Sequence, residues 1–238
     1  MKVIFIPIKK NVIVNLMIIA ALFIALISLN IGNAMTVLSN VTSNPIYKGN
    51  EDKPIIAFEC NVVWGTEYIP QILDIFKEND IKITFFIGGE WAEDNPELLK
   101  RIVAEGHEIG NHGYKHKHHS QLDINGNRNE IQDTENAVKS ITGIKTTLFA
   151  PPYGEFNKTT IQAADSLGYN TIMWSIDTID WRRDGVDKII QRVISSPYNG
   201  ALVLMHPTAD TVTALPTILK ALLDSKYKIS TVSEAISD

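Results

Sequence analysis

Short apolar runs alternate with amphipathic stretches from Pro54 to the end of the chain, and this rhythm constrains the fold more than any other feature. Ile55-Ile56-Ala57-Phe58 reads as a buried strand, and Tyr68–Asn79, with apolar residues at 69, 72, 73, 75 and 76, as an amphipathic helix. Ile83–Ile87 is a second strand, closed by Gly88-Gly89. Asn95 is the expected cap of a helix that carries Pro96 in its first turn and Leu98, Leu99, Ile102 and Val103 on its inner stripe. Gly106-His107-Glu108-Ile109 reads as a helix end turning into a short strand. A polar helix over Arg128–Thr142 follows, ended by Gly143, then a strand at Thr147–Phe149 and a helix over Lys158–Leu167. Strands at Thr171–Trp174, Ala201–Met205 and Lys228–Thr231 alternate with helices at Val186–Ser195 and Thr213–Asp224. Such alternation implies a parallel sheet with helical crossovers, an α/β fold of about seven strands. A barrel closed by helices is favoured over an open doubly wound sheet, although periodicity does not see closure. Either architecture sets functional groups at the C-terminal ends of the strands.

The first 34 residues read as a targeting segment. Lys2, Lys9 and Lys10 precede an uncharged run from Val12 to Ile31, long enough to cross a bilayer as a helix. The expectation is a single-pass signal anchor with the C-terminal domain outside the membrane, or a signal peptide cleaved near Ala34. Residues 35–53, mostly small and polar, read as a linker to a domain over 54–238. The formal net charge of -5 excludes the broad basic surface of a nucleic-acid binder. One cysteine, Cys60, excludes an intramolecular disulfide framework. Nothing in the sequence bears on oligomeric state.

The strand ends carry the chemistry. Glu59-Cys60-Asn61 ends the first strand, and His112 and His116 stand four residues apart in a Gly-containing loop after the third. Neutral imidazoles at that spacing suit a divalent metal when one turn aims both at a point, although solvated loop histidines are equally compatible with the spacing. Ala150-Pro151-Pro152-Tyr153-Gly154 is a stiff turn whose prolines fix the backbone. Asp177, Asp180 and Trp181 follow the next strand, and His206-Pro207 ends the one after that. Asp177 or Asp180 could instead cap a turn, and His206 could be a buried, satisfied histidine.

In this order the motifs resemble those of the polysaccharide deacetylase domain, also called the NodB-homology or carbohydrate esterase family 4 module, and in particular its sporulation-associated group. The resemblance spans residues 54 to 235. It implies a deformed (β/α) barrel that hydrolyses N-acetyl groups of amino-sugar polymers, peptidoglycan or chitin-like, with a divalent metal: zinc first, cobalt or nickel as substitutes. It implies that His112 and His116 are metal ligands and that His206 is the general acid, with Asp180 orienting and charging it. The Tyr153 backbone N–H would supply an oxyanion contact, and Trp181 and Leu204 would wall the acetyl pocket.

Three departures fall on the catalytic half. Where the family has T-F-D-D, the aligned stretch is Ala57-Phe58-Glu59-Cys60, so Glu59 is the candidate base and Cys60 the candidate third ligand, with a small buried residue as the alternative for Cys60. Ala150 stands where the family has an arginine, and Arg182 or Arg183 is the candidate replacement. The second reading of the chain is therefore a catalytically impaired relative that binds carbohydrate or serves in spore or cell-wall assembly.

Overall fold

The computed structural model describes residues 43–237, with Ile19 and Phe23 besides. The expected targeting segment lies outside the described residues. Among those described, no helix is long and apolar enough to cross a membrane.

The sheet is built on β1 (Ile55–Val62), in which every residue is buried. Its neighbours are β2 (Thr84–Ile87), β3 (Glu108–Asn111), β4 (Leu148–Phe149), β5 (Asn170–Thr171), β6 (Ile176–Asp177), β7 (Leu202–Met205) and β8 (Lys228–Ser230). All pair in parallel in the order β5-β4-β3-β2-β1-β7-β6, with β8 on the first half of β1. The curled sheet and its helices form a half-barrel, as a deformed barrel requires. The path ends at β5 on one side and β6 on the other, and the gap is bridged from an unexpected quarter. Ile46, in the stretch read as linker, donates its N–H to Thr171 and accepts from Met173, and Gly49 donates to Gly200.

Helices α1 (Ile69–Glu78), α2 (Gly89–Asp94), α3 (Pro96–Ala104), α4 (Ile124–Thr142), α5 (Lys158–Ser166), α6 (Val186–Ile194), α7 (Ala209–Asp224) and α8 (Val232–Ile236) complete the domain. Two of them begin earlier than apolar periodicity suggests, because their starts are set by polar caps. The Asp123 side chain accepts from Gly126 N–H ahead of α4, and Thr208 accepts from Thr211 ahead of α7. Asn95 does not cap α3; its amide instead donates to the Trp91 carbonyl at the end of α2. The expected strand at 171–174 is two short ones, β5 and β6, separated by a turn.

Side chains alternate across β1, and this decides what reaches the site. Ile56, Phe58, Cys60 and Val62 pack outward with α1 and α7 in the main core. Ile55 and Ala57 face the barrel interior with Phe86, Ala150 and Leu202. Glu59 and Asn61 continue that inner face.

Candidate active site

Loops at the C-terminal ends of β1, β3, β4, β6 and β7 surround a cavity of about 530 Å³. Its lining includes Asn61, His112, His116, Tyr153, Asp177, Trp181, Leu204 and His206, together with Trp64 and Trp174. Unusual backbone concentrates here. His116 and Tyr153 have positive φ, and so do Ile179 and Arg183 on either side of Asp180-Trp181. Such conformations cost roughly 1–3 kcal/mol each and persist where the surroundings impose them.

His112 ends β3. Its Nδ1 lies 2.7 Å from the Ala150 carbonyl, so that nitrogen carries the proton and Nε2 is left as an acceptor. Gly113, at φ 74, turns the chain, and the His116 ring comes to 5.0 Å from that of His112, centroid to centroid. Burial, then the neighbouring His116, holds His112 well below the usual imidazole range. Burial likewise brings His116 down to about 4. Across the cavity, fully buried Asp180 accepts from the His206 backbone N–H at 2.6 Å and from Thr211 Oγ1 at 2.7 Å, while its other oxygen meets His206 Nδ1 at 2.8 Å. His206 is thus held with Nε2 free. The Trp64 ring stacks on it, 5.7 Å away and 7° from parallel.

The lower wall is acidic. Glu59 and Asp177 both register with Leu204, one on each side, so the three share the inner face of β1, β7 and β6. Glu59 is 1% exposed and its Oε2 has no hydrogen-bond partner. Burial first, and the Asp177 charge second, pushes its carboxyl well up, which makes it a neutral acid. Asp177 Oδ1 accepts from Ile179 N–H at 2.8 Å, and burial raises this carboxyl too.

Comparison with known proteins decides the family. Residues 48–172 match the polysaccharide deacetylase family. The Bacillus subtilis protein YlxY is 39% identical over 201 residues, covering 84% of this chain and 63% of that protein. A peptidoglycan-N-acetylglucosamine deacetylase of Bacillus cereus is 37% identical over 162 residues, 68% of this chain and 59% of that enzyme. The chain belongs to the polysaccharide deacetylase family. It spans about three fifths of the length of these two relatives. Among solved structures, a CE4 family pseudoenzyme from Bacillus anthracis superposes with a TM-score of 0.80 at 39% identity, over 84% of this chain and 71% of that one.

Deacetylases of this family are generally metal-dependent, so the donor set decides what this pocket can hold. Two imidazoles are brought together, but Cys60 is not brought to them. It lies on the opposite face of β1, fully buried among Phe58, Val62 and the residues of α1 and α7. Burial pushes its thiol well up, so it stays a neutral, core-packing group. Cys60 as third ligand is therefore corrected, and the reason is the period of two along the strand. The residue of β1 that reaches the lining is Asn61, whose Oδ1 is buried without a partner. Among the described residues no three His, Cys, Asp or Glu side chains converge as a metal site. The residues present do not fit the metal that the family uses.

Glu59 as base is corrected as well, because its carboxyl is protonated and lies outside the cavity lining. Arg182 and Arg183 are exposed and outside the lining, so neither replaces the guanidinium missing at Ala150. Tyr153, Trp181, Leu204 and His206 all reach the cavity, and Asp180 lies directly behind His206. Asn61, Trp64, Trp174 and Asp177 were not singled out as site residues in the sequence. The inner-face parity of Glu59 and Asn61 was the available signal for the first.

Proposed function

We propose that this chain is a catalytically silent member of its family that binds amino-sugar polymers of the cell wall, outside the membrane. One observation carries the reading: at the point on β1 where the histidine pair needs a carboxylate, the residue facing them is the amide of Asn61. An amide neither takes a proton from water nor supplies the negative charge that a divalent cation would draw from aspartate. The groove around it is built for contact. Trp64, Tyr153 and Trp181 are exposed large aromatic side chains on three different loops at its rim. Flat aromatic faces give large, pre-ordered contact area to the C–H faces of pyranose rings at small entropic cost. The resemblance to a CE4 family pseudoenzyme agrees with this reading.

One observation favours hydrolysis instead: the Asp180–His206 pair is intact and hydrogen-bonded as a general acid would be. A single experiment separates the two. The full chain is mixed with peptidoglycan and with N-acetylglucosamine oligomers, with and without added zinc or cobalt. Acetate release and co-sedimentation with the wall are then measured. The expected result is binding without acetate release, weakened on the order of tenfold in Trp181→Ala. Metal-stimulated acetate release that disappears in His206→Ala would establish the enzyme.

A further inference from the structure

The cavity's polar inventory is lopsided. Asp177 is the one acidic side chain in its lining, and no lysine or arginine lies there. The neutral groups add acceptors: His112 through Nε2, because its Nδ1 faces the Ala150 carbonyl, and Asn61 through its buried, unpartnered Oδ1, on a residue only 6% exposed. Around these stand aromatic faces, Trp64, Tyr153, Trp174 and Trp181. A carboxylate, further lone pairs and π faces with no competing cation make a receptor for an ammonium group.

We propose that the pocket recognises the free amine of a deacetylated amino sugar, a glucosammonium unit, in preference to the N-acetyl form. This rests on the groove binding amino-sugar polymers and names which form of the sugar it reads. An ammonium brings three N–H donors and a positive charge to Asp177, Asn61 Oδ1 and His112 Nε2. An acetamido group brings one N–H and a further acceptor, which these three groups cannot satisfy. Asp177 is positioned for the task. Its Oδ1 is held by the Ile179 N–H, and its strand fixes it opposite Leu204. Burial raises its carboxyl, and a bound cation is what would offset that cost. Arg192, the charged group reaching toward it from α6, is already engaged by Asp184 at 2.6 Å. In this reading the protein binds wall that deacetylases have already processed.

The test uses quenching of tryptophan fluorescence in the full chain, since three of its four tryptophans line the cavity. Oligomers of β-1,4-linked glucosamine and of N-acetylglucosamine of equal length are titrated at one pH and ionic strength, beside a lysine oligomer of equal charge. The glucosamine oligomer is expected to bind on the order of tenfold more tightly than the acetylated one. Asp177→Asn is expected to remove that preference while leaving the thermal midpoint and the weaker binding in place. Equal or tighter binding of the acetylated oligomer overturns the inference and leaves wall binding standing. Equal binding of the lysine oligomer overturns the sugar component. Binding of neither sugar, with Trp181→Ala no different from wild type, overturns the groove reading beneath it.

Discussion

Two neighbouring substitutions on β1 test the site more sharply than any change in the histidines. Cys60 and Asn61 are consecutive, yet one faces the helix-packed core and the other the cavity. Cys60→Asp puts a carboxyl at a position with no exposure, among Phe58, Val62, Phe76 and Met205, where the cluster around it is apolar. Leaving a buried charge without a partner costs about 3–5 kcal/mol, a large share of the roughly 5–15 kcal/mol that holds a typical domain folded. With a urea m-value of about 2–3 kcal/mol/M, the midpoint should fall by about 1–2 M. No affinity for zinc should be gained. Asn61→Asp is nearly isosteric and adds a carboxylate at the wall of the cavity that holds His112 and His116. Zinc at about a hundredfold excess over its Kd would then add about 2.7 kcal/mol, a rise in Tm of about 5–10 °C for a domain of this size. The assays are urea unfolding followed by tryptophan fluorescence, and thermal scans with and without zinc. The reasoning is refuted if Cys60→Asp keeps wild-type stability or responds to zinc, or if Asn61→Asp shows no response at saturating metal.

Two further outcomes are expected. His107 is buried, accepts from the Ile83 N–H at 3.2 Å, and is held down to about 4, chiefly by burial. The folded state therefore binds fewer protons than the unfolded state below pH 6.5. Stability is complete above that value and is lost as pH falls toward about 4, by about 3 kcal/mol in full. His107→Gln should flatten this slope in urea midpoints measured between pH 7.5 and 4.5, and an unchanged slope would assign the acid sensitivity elsewhere. Gly113 has φ 74, and a Cβ there would lie 2.8 Å from His119 Nε2, on a ring that Asn127 fixes from its other side. Gly113→Ala should therefore cost about 1–3 kcal/mol and weaken oligomer binding by displacing the His112–His116 loop. Wild-type values for both would show the loop to be free to adjust.

How much was legible in the sequence differs between fold and site. Alternation from Pro54 onward was enough for a parallel α/β architecture, because a buried strand and an amphipathic helix need different periods of apolar residues. It also placed His112, Asp180, Trp181 and His206 at strand ends, where a barrel assembles its site. Helix starts at Asp123 and Thr208 escaped it, since a cap is a polar bond outside the apolar stripe. The role of residues 46–49 escaped it too, because pairing across the β5–β6 gap is set by where the curled sheet stops.

Sequence by itself determined the family, the strand-end inventory and the histidine pair, all of which are local or ordered along the chain. Which side chains meet was decided only by the tertiary structure. Glu59, Cys60 and Asn61 are equally plausible partners for two histidines as letters in a row. The pleat of β1, held between β2 and β7, turns Cys60 into the hydrophobic core and buries Glu59 as a neutral acid below the cavity. Asn61 is left to face the site, and a neutral amide there is what makes this pocket a receptor rather than a metal centre.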